Sequence, residues 1–151
     1  MSKLKEGDKI PEFSLPDQNG DTFNSKTLLG KKSVIFFYPK NNTSVCTAEV
    51  CGFRDNFEAF QDAGAEVIGI SSDSVESHGK FAQSHRLPFT LLSDKDKEVR
   101  RKFGVPGKLF GIIPGRVTYI VDASGTISKI YSNLSNADAH IKEAKKTIEE
   151  I

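Results

Sequence analysis

Apolar positions along the chain fall into two recurring patterns, short unbroken runs and stripes spaced three or four residues apart. The run Ser33–Tyr38, apolar from Val34 onward, reads as a strand buried on both faces. Pro39 ends it, having no N–H for a ladder. Val50, Phe53, Phe57 and Phe60 then recur at spacings of 3, 4 and 3, which predicts one helix face, with Gly64 as the stop. Glu66–Ser71 repeats the buried-strand pattern, and Ser74 is placed to cap a helix running to about Arg86. Phe89–Leu92 reads as a short strand, followed by a helix capped by Asp94 and reaching about Phe103. Gly104–Arg116, with two prolines and four glycines, predicts a loop. Val117–Asp122 and Thr126–Tyr131 flank the turn Ala123-Ser124-Gly125 as a strand pair. A last helix is expected from about Asn136, with Ile141, Ala144, Ile148 and Ile151 on its buried stripe. Nearer the start, Phe13, Leu15 and Phe23 surround the turn signal Asp17-Gln18-Asn19-Gly20, which predicts a short hairpin.

Strands alternating with helices in this way define an α/β fold with parallel pairs, made mixed by the final strand pair. At 151 residues the chain is expected to form one domain, 1–151, without repeats or linkers. Formal net charge is +1, from 21 basic and 20 acidic residues, which argues against nucleic acid or a membrane surface as partner. The first residues lack the apolar core of about 7–15 residues that a signal peptide needs. The longest apolar run, Val34–Tyr38, is far too short to span a bilayer. A cytoplasmic protein is therefore expected.

The two cysteines, Cys46 and Cys51, lie five residues apart after the first buried strand. Four readings compete: a structural disulfide, part of a metal site, two inert buried thiols, and a reactive pair. A metal site is disfavoured, because zinc wants four ligands and the three histidines show no paired spacing with the cysteines. In an unbroken helix, a five-residue separation puts the Cα atoms roughly 8–9 Å apart, beyond the ~7 Å a disulfide tolerates. A bond between them therefore requires the helix to unwind.

Sites in such sheets collect at the carboxyl ends of strands, where Cys46 is expected at the start of a helix. There, free N–H groups and the macrodipole favour an anion. An unperturbed thiol is about 3% ionised at pH 7, and lowering its pKa to about 6 makes it about 90% ionised, worth ~2 kcal/mol. Enzymes need at least ~8 kcal/mol, so charge on the leaving group must also be stabilised. Thr43 and Arg116 are the candidates, one offering a hydroxyl and the other a forked cation. Alone, such a threonine is ordinarily a helix cap and such an arginine a solvated surface residue.

The run Pro39-x-x-x-Thr43-x-x-Cys46 resembles the active-site signature of peroxiredoxins. The longer blocks Tyr38-Pro39-Lys40, Cys46-Thr47-Ala48-Glu49 and Cys51-Gly52-Phe53-Arg54-Asp55 resemble the peroxiredoxin Q branch, the bacterioferritin comigratory proteins. The likeness continues through residues 64–71, 87–94 and 104–107 to Pro114-Gly115-Arg116. It implies a thioredoxin-like fold and a thiol peroxidase without metal or organic cofactor. By position, Cys46 would be the peroxidatic cysteine and Cys51 the resolving one, joined in turnover by an intramolecular disulfide. Thr43 and Arg116 would hold the peroxide, Pro39 would shield the pocket, and Glu49 would orient Arg116 or lie on the helix surface. Thioredoxin or a similar dithiol would be the reductant and a monomer the working unit. A redox sensor and a thiol-disulfide exchange protein on the same fold are the alternatives. Asn41-Asn42 and Ser44-Val45 depart from the acidic pair and the Pro-Gly common in this branch, which bears on pocket shape and substrate preference.

Overall fold

The computed structural model describes residues 4–105, 107–108 and 113–151. Its centre is a five-stranded sheet built from β3 (Lys32–Phe37), β4 (Ala65–Ser71), β5 (Thr90–Ser93), β8 (Val117–Val121) and β9 (Ile127–Ser132). The order is β5-β4-β3-β8-β9, parallel between β3, β4 and β5 and antiparallel from β3 through β8 to β9. The run Val34–Phe37 is buried on both faces, as its unbroken apolar character requires. Val34 and Phe36 face α1 (Ser44–Asp55), α2 (Phe57–Asp62), α3 (Val75–His85) and α5 (Ala137–Glu150). Ile35 and Phe37 face the opposite core, closed by α4 (Glu98–Phe103), a 3-10 turn (Ser25–Leu28) and the hairpin β1 (Ser14–Pro16)–β2 (Thr22–Asn24).

Four details differ from expectation. The helix after β3 is broken at Asn56, whose Nδ2 donates to the Gly52 carbonyl at 2.8 Å, a local bond that competes with the helical ladder. Phe53 and Phe60 nonetheless share one buried face, so the apolar spacing carries across the break. The helix expected after Asp94 begins only at Glu98, although the Asp94 carboxylate still accepts from the N–H groups of Val99 and Arg100. The stretch expected to be a loop contains a two-residue pairing of β6 (Gly107–Lys108) with β7 (Ile113–Pro114); its positions 106 and 109–112 lie outside the described residues. Ile151 is exposed rather than on the α5 stripe, because the helix ends at Glu150.

Candidate active site

β3 delivers the chain to the site. Beyond its end, Tyr38 is buried and Pro39 half-buried, and residues 40–43 turn the backbone into α1. Asn41 fixes that turn. It is buried, its Oδ1 accepts from the Tyr38 hydroxyl at 2.6 Å, and its Nδ2 reaches Ser77 Oγ at 3.1 Å and His78 Nδ1 at 3.0 Å. His78 Nε2 faces the Leu92 carbonyl at 3.0 Å, so Nε2 carries the proton and Nδ1 accepts from the amide. Only a side chain with both donor and acceptor fits that position. Asn42 follows at φ 65, a left-handed conformation that asparagine tolerates better than most residues. The two asparagines thus have structural reasons to stand in this loop.

Cys46 is the third residue of α1 and 1% exposed, in the first turn where backbone N–H groups lack helical partners. Arg116, immediately before β8, reaches it because β8 runs antiparallel to β3 with Val117 opposite Phe37. The guanidinium is 3% exposed and uses three donors in three directions. Nη2 donates to Cys46 Sγ at 3.2 Å, Nη1 to Glu49 Oε1 at 2.6 Å, and Nε to the Leu134 carbonyl at 2.9 Å. The fork is therefore held by two anchors and presented to the sulfur.

Glu49 lies one helical turn after Cys46 and is fully buried. Its second oxygen, Oε2, has no hydrogen-bond partner among the described residues and sits 3.6 Å from His140 Nδ1. Burial pushes this carboxyl up to about 7, against the pull of Arg116 in the other direction. Burial also opposes the charge of Arg116, but Glu49 and Cys46 together outweigh it and push the guanidinium up. His140, on α5, is fully buried, with Nε2 donating to the Asn133 carbonyl and Nδ1 accepting from the Thr118 hydroxyl, both at 2.7 Å. Burial lowers its pKa to about 4, so the ring is neutral at neutral pH.

Of the residues singled out in the sequence, the fold brings Cys46, Arg116 and Glu49 into contact. Thr43 stands at the cap position of α1, exposed, with its hydroxyl donating to the Lys40 carbonyl at 2.9 Å and making no cap bond. Cys51 is half-buried on the same helix, its Sγ 3.6 Å from His85 Nδ1, and both cysteines are free. Sequence reasoning passed over His140; its spacing of four to Ala144 placed it on the buried stripe of α5, and that was the available signal. An open groove of about 570 Å³ runs along the outer side of the Cys46 turn, between Ser44, Val45 and Ala48 of α1 and Ser135–Asp138 ahead of and within α5. Ser44 and Val45, which replace the branch's usual Pro-Gly, form part of its wall. Among the described residues, no group of three or more His, Cys, Asp or Glu is placed to hold a metal ion.

A cysteine sulfur at a helix start, after the central strand of a mixed α/β sheet and bound by a buried guanidinium, is a site of the kind that a thiol-dependent redox enzyme uses. Comparison with known proteins agrees. The AhpC/TSA family model matches residues 6–130. Chloroplastic peroxiredoxin Q of Populus jackii is 45% identical over 151 residues, covering 100% of this chain and 71% of that protein. The crystal structure of peroxidoxin BcpB from Mycobacterium tuberculosis superposes with a TM-score of 0.90 at 37% identity, over 98% of both chains. A Xanthomonas campestris peroxiredoxin Q structure gives 0.84 at 27% identity, over 91% of this chain and 90% of that one. The fold is thioredoxin-like, as expected. The chain belongs to the peroxiredoxin Q family and is a thiol peroxidase. Among the described residues no helix is long and apolar enough to cross a membrane.

Proposed function

We propose that this chain reduces hydrogen peroxide and organic hydroperoxides with Cys46 as the attacking thiolate and Cys51 as the resolving thiol. The observation that carries the assignment is the Arg116 guanidinium donating to Cys46 Sγ at 3.2 Å in the first turn of α1. The cation and the free N–H groups of the turn are placed to interact with a negative sulfur and with the oxygen it attacks. Attack on the O–O bond leaves a sulfenic acid on Cys46 and releases an alcohol or water. Arg116 and the Thr43 hydroxyl hold the departing oxygen, the threonine after turning from Lys40. Pro39, half-buried beside the turn, keeps water from the sulfur. Cys51 then condenses with the sulfenic acid to a disulfide and a second water.

Thioredoxin or a dithiol of the same type returns the pair to thiols. Both cysteines lie on one helix of one chain, so the cycle needs no second subunit, and a monomer of one domain is the proposed working form. Recycling at each turn requires a reducing compartment, for which the cytoplasm is proposed. The test is turnover of Cys46→Ser and Cys51→Ser proteins with peroxide and reduced thioredoxin. Cys46→Ser is expected to be inactive. Cys51→Ser is expected to reduce one equivalent of peroxide and then stop. Peroxide consumption by Cys46→Ser with the same donor would refute the assignment.

A further inference from the structure

Cys46 and Cys51 sit in different electrostatic settings. Cys46 has Arg116 and the amino end of α1. Cys51 lies about one and a half turns further along, where the free N–H groups of the helix start do not reach. What it has instead is His85, the last residue of α3, with Nδ1 3.6 Å from its sulfur. We infer that His85 is a catalytic residue of the second half of the cycle, accepting the proton of Cys51 as that sulfur attacks oxidised Cys46. The inference rests on the assignment of Cys51 as the resolving thiol.

The imidazole is positioned for this work. Its ring meets Phe81 edge-on, with centroids 4.7 Å apart, and Arg54 Nη1 of α1 donates to the His85 carbonyl at 2.8 Å. Among the described residues, the ring nitrogens have no other hydrogen-bond partner than the Cys51 sulfur. The charged groups at this corner are Arg54, ion-paired with Asp55 at 2.9 Å, and the exposed Arg86 next along the chain.

The contact is also placed to survive the unwinding that the disulfide needs. The part of α1 from Cys51 onward is fastened in several ways. Phe53 stacks on Phe36 with centroids 4.5 Å apart, Arg54 holds the end of α3, and Asn56 binds the Gly52 carbonyl. Gly52 lies against α5 so closely that a Cβ there would come within 2.8 Å of Ile141 Cδ1. The turn before it carries the exposed residues Ser44 and Ala48. Unwinding therefore falls on the Cys46 side and leaves Cys51 beside its imidazole.

In the step, the Cys51 S–H gives its proton to His85 Nδ1 while the sulfur's electron pair forms the S–S bond. The S–O bond of the Cys46 sulfenic acid breaks, and its oxygen leaves with the bonding pair as hydroxide. That hydroxide takes up a proton, returned by His85, and departs as water. The sulfenic sulfur is reduced, the thiol sulfur is oxidised, and peroxide is the sole oxidant consumed.

The chain has no tryptophan, so whole-protein mass after rapid acid quench is the suitable readout. One equivalent of hydrogen peroxide is mixed with reduced wild type, His85→Asn and His85→Ala, and the sulfenic and disulfide forms are followed. An unassisted thiol is about 3% ionised at pH 7, so assistance is worth up to about thirtyfold there. In both variants the sulfenic form is expected to accumulate at about pH 7, with disulfide formation slowed roughly 10- to 30-fold. The deficit is expected to close at about pH 9, where hydroxide in solution takes the place of the imidazole as base. Added imidazole is expected to accelerate His85→Ala at neutral pH. Wild-type rates in both variants, or a deficit that is equal at both pH values and unmoved by imidazole, would overturn the inference and leave the Cys51 assignment standing. Absence of a Cys46–Cys51 bond in the oxidised wild type would overturn that assignment and this inference with it.

Discussion

Replacing Glu49 with glutamine removes one buried negative charge while keeping the side chain's shape and an oxygen for Arg116. The rise of this carboxyl from 4.5 to about 7, at ~1.4 kcal/mol per unit, amounts to a cost of ~3 kcal/mol for burying its ionised form. The folded state keeps a proton that the unfolded chain releases near pH 4.5. The stability this gives is fully present below pH 4.5 and is lost as pH rises through about 7. His140 acts in the opposite sense. Its pKa falls from 6.5 to about 4, so its contribution is present above pH 6.5 and is lost as pH falls through about 4. In the wild type the two slopes oppose each other between these limits. In Glu49→Gln only the His140 slope remains. The stability of Glu49→Gln relative to wild type is therefore expected to grow by ~3 kcal/mol from about pH 4.5 to above pH 7. Urea denaturation of the reduced proteins at four pH values across that range measures it. With a urea slope of about 2 kcal/mol per molar for a chain of this size, the difference between midpoints should widen by ~1.5 M. Parallel curves, with a difference constant to within ~0.5 kcal/mol, would mean that Glu49 stays ionised throughout and that burial does not dominate its chemistry.

Arg116→Lys keeps the charge but offers one nitrogen to three acceptors that the guanidinium now binds separately. The rate constant for peroxide reduction is expected to fall ~10²–10³-fold in stopped-flow measurements, and an unchanged rate would refute the role given to the fork. Gly69→Ala places a methyl group 2.7 Å from Phe36 Cζ and 2.9 Å from Leu91 Cδ2 in the sheet's centre. A loss of ~1–3 kcal/mol is expected in urea, and neutrality would show that the Phe36 layer yields. Amide exchange across residues 44–50 is expected to rise in the Cys46–Cys51 disulfide form, and equal protection in both redox forms would contradict the unwinding argued from helix geometry.

The architecture was legible because its strands are buried on both faces and carry unbroken apolar runs. Val34–Phe37 and Val67–Ile70 could be assigned from neighbouring residues alone, and so could the helix cap at Ser74 and the start of the last helix near Asn136. The break at Asn56 was hidden, since Phe53 and Phe60 keep one face across it and apolar spacing does not register a side chain bonding to the preceding turn. Cys46, Thr43 and Arg116 were singled out in the sequence, and the fold sets Arg116 against Cys46 while the Thr43 hydroxyl binds the Lys40 carbonyl. What could not be read was the state of the charges among them. An arginine before a strand and a glutamate on a helix are ordinarily solvated. Here Arg116 and Glu49 are buried because β8 lies beside β3 and α5 covers the site, contacts between segments far apart in the chain. Pairwise burial of this kind leaves no local pattern. The same holds for His85, whose distance to Cys51 depends on how α3 ends against α1.

Helix α1 must meet two opposed demands, holding Cys46 still for peroxide and then releasing it towards Cys51. The contacts suggest how one sequence does both. The far half of the helix is fastened by packing and by hydrogen bonds, none of which depends on the oxidation state of the Cys46 sulfur. The near half is fastened through Arg116, by its bond to Glu49 and by its bond to the sulfur itself. While Cys46 is a thiolate, the bond to sulfur joins opposite charges and is stronger than one from the same guanidinium to a neutral acceptor. In the proposed cycle, oxidation to the neutral sulfenic acid removes the sulfur's charge and weakens this attachment by ~1–2 kcal/mol, shifting a local opening equilibrium about 5- to 30-fold. Peroxide reduction would then loosen the turn whose loosening the next step requires, and it would do so only after the peroxide has reacted. A rigid second half gains from the same logic, because the incoming sulfur must find Cys51 and its imidazole where the reduced protein left them.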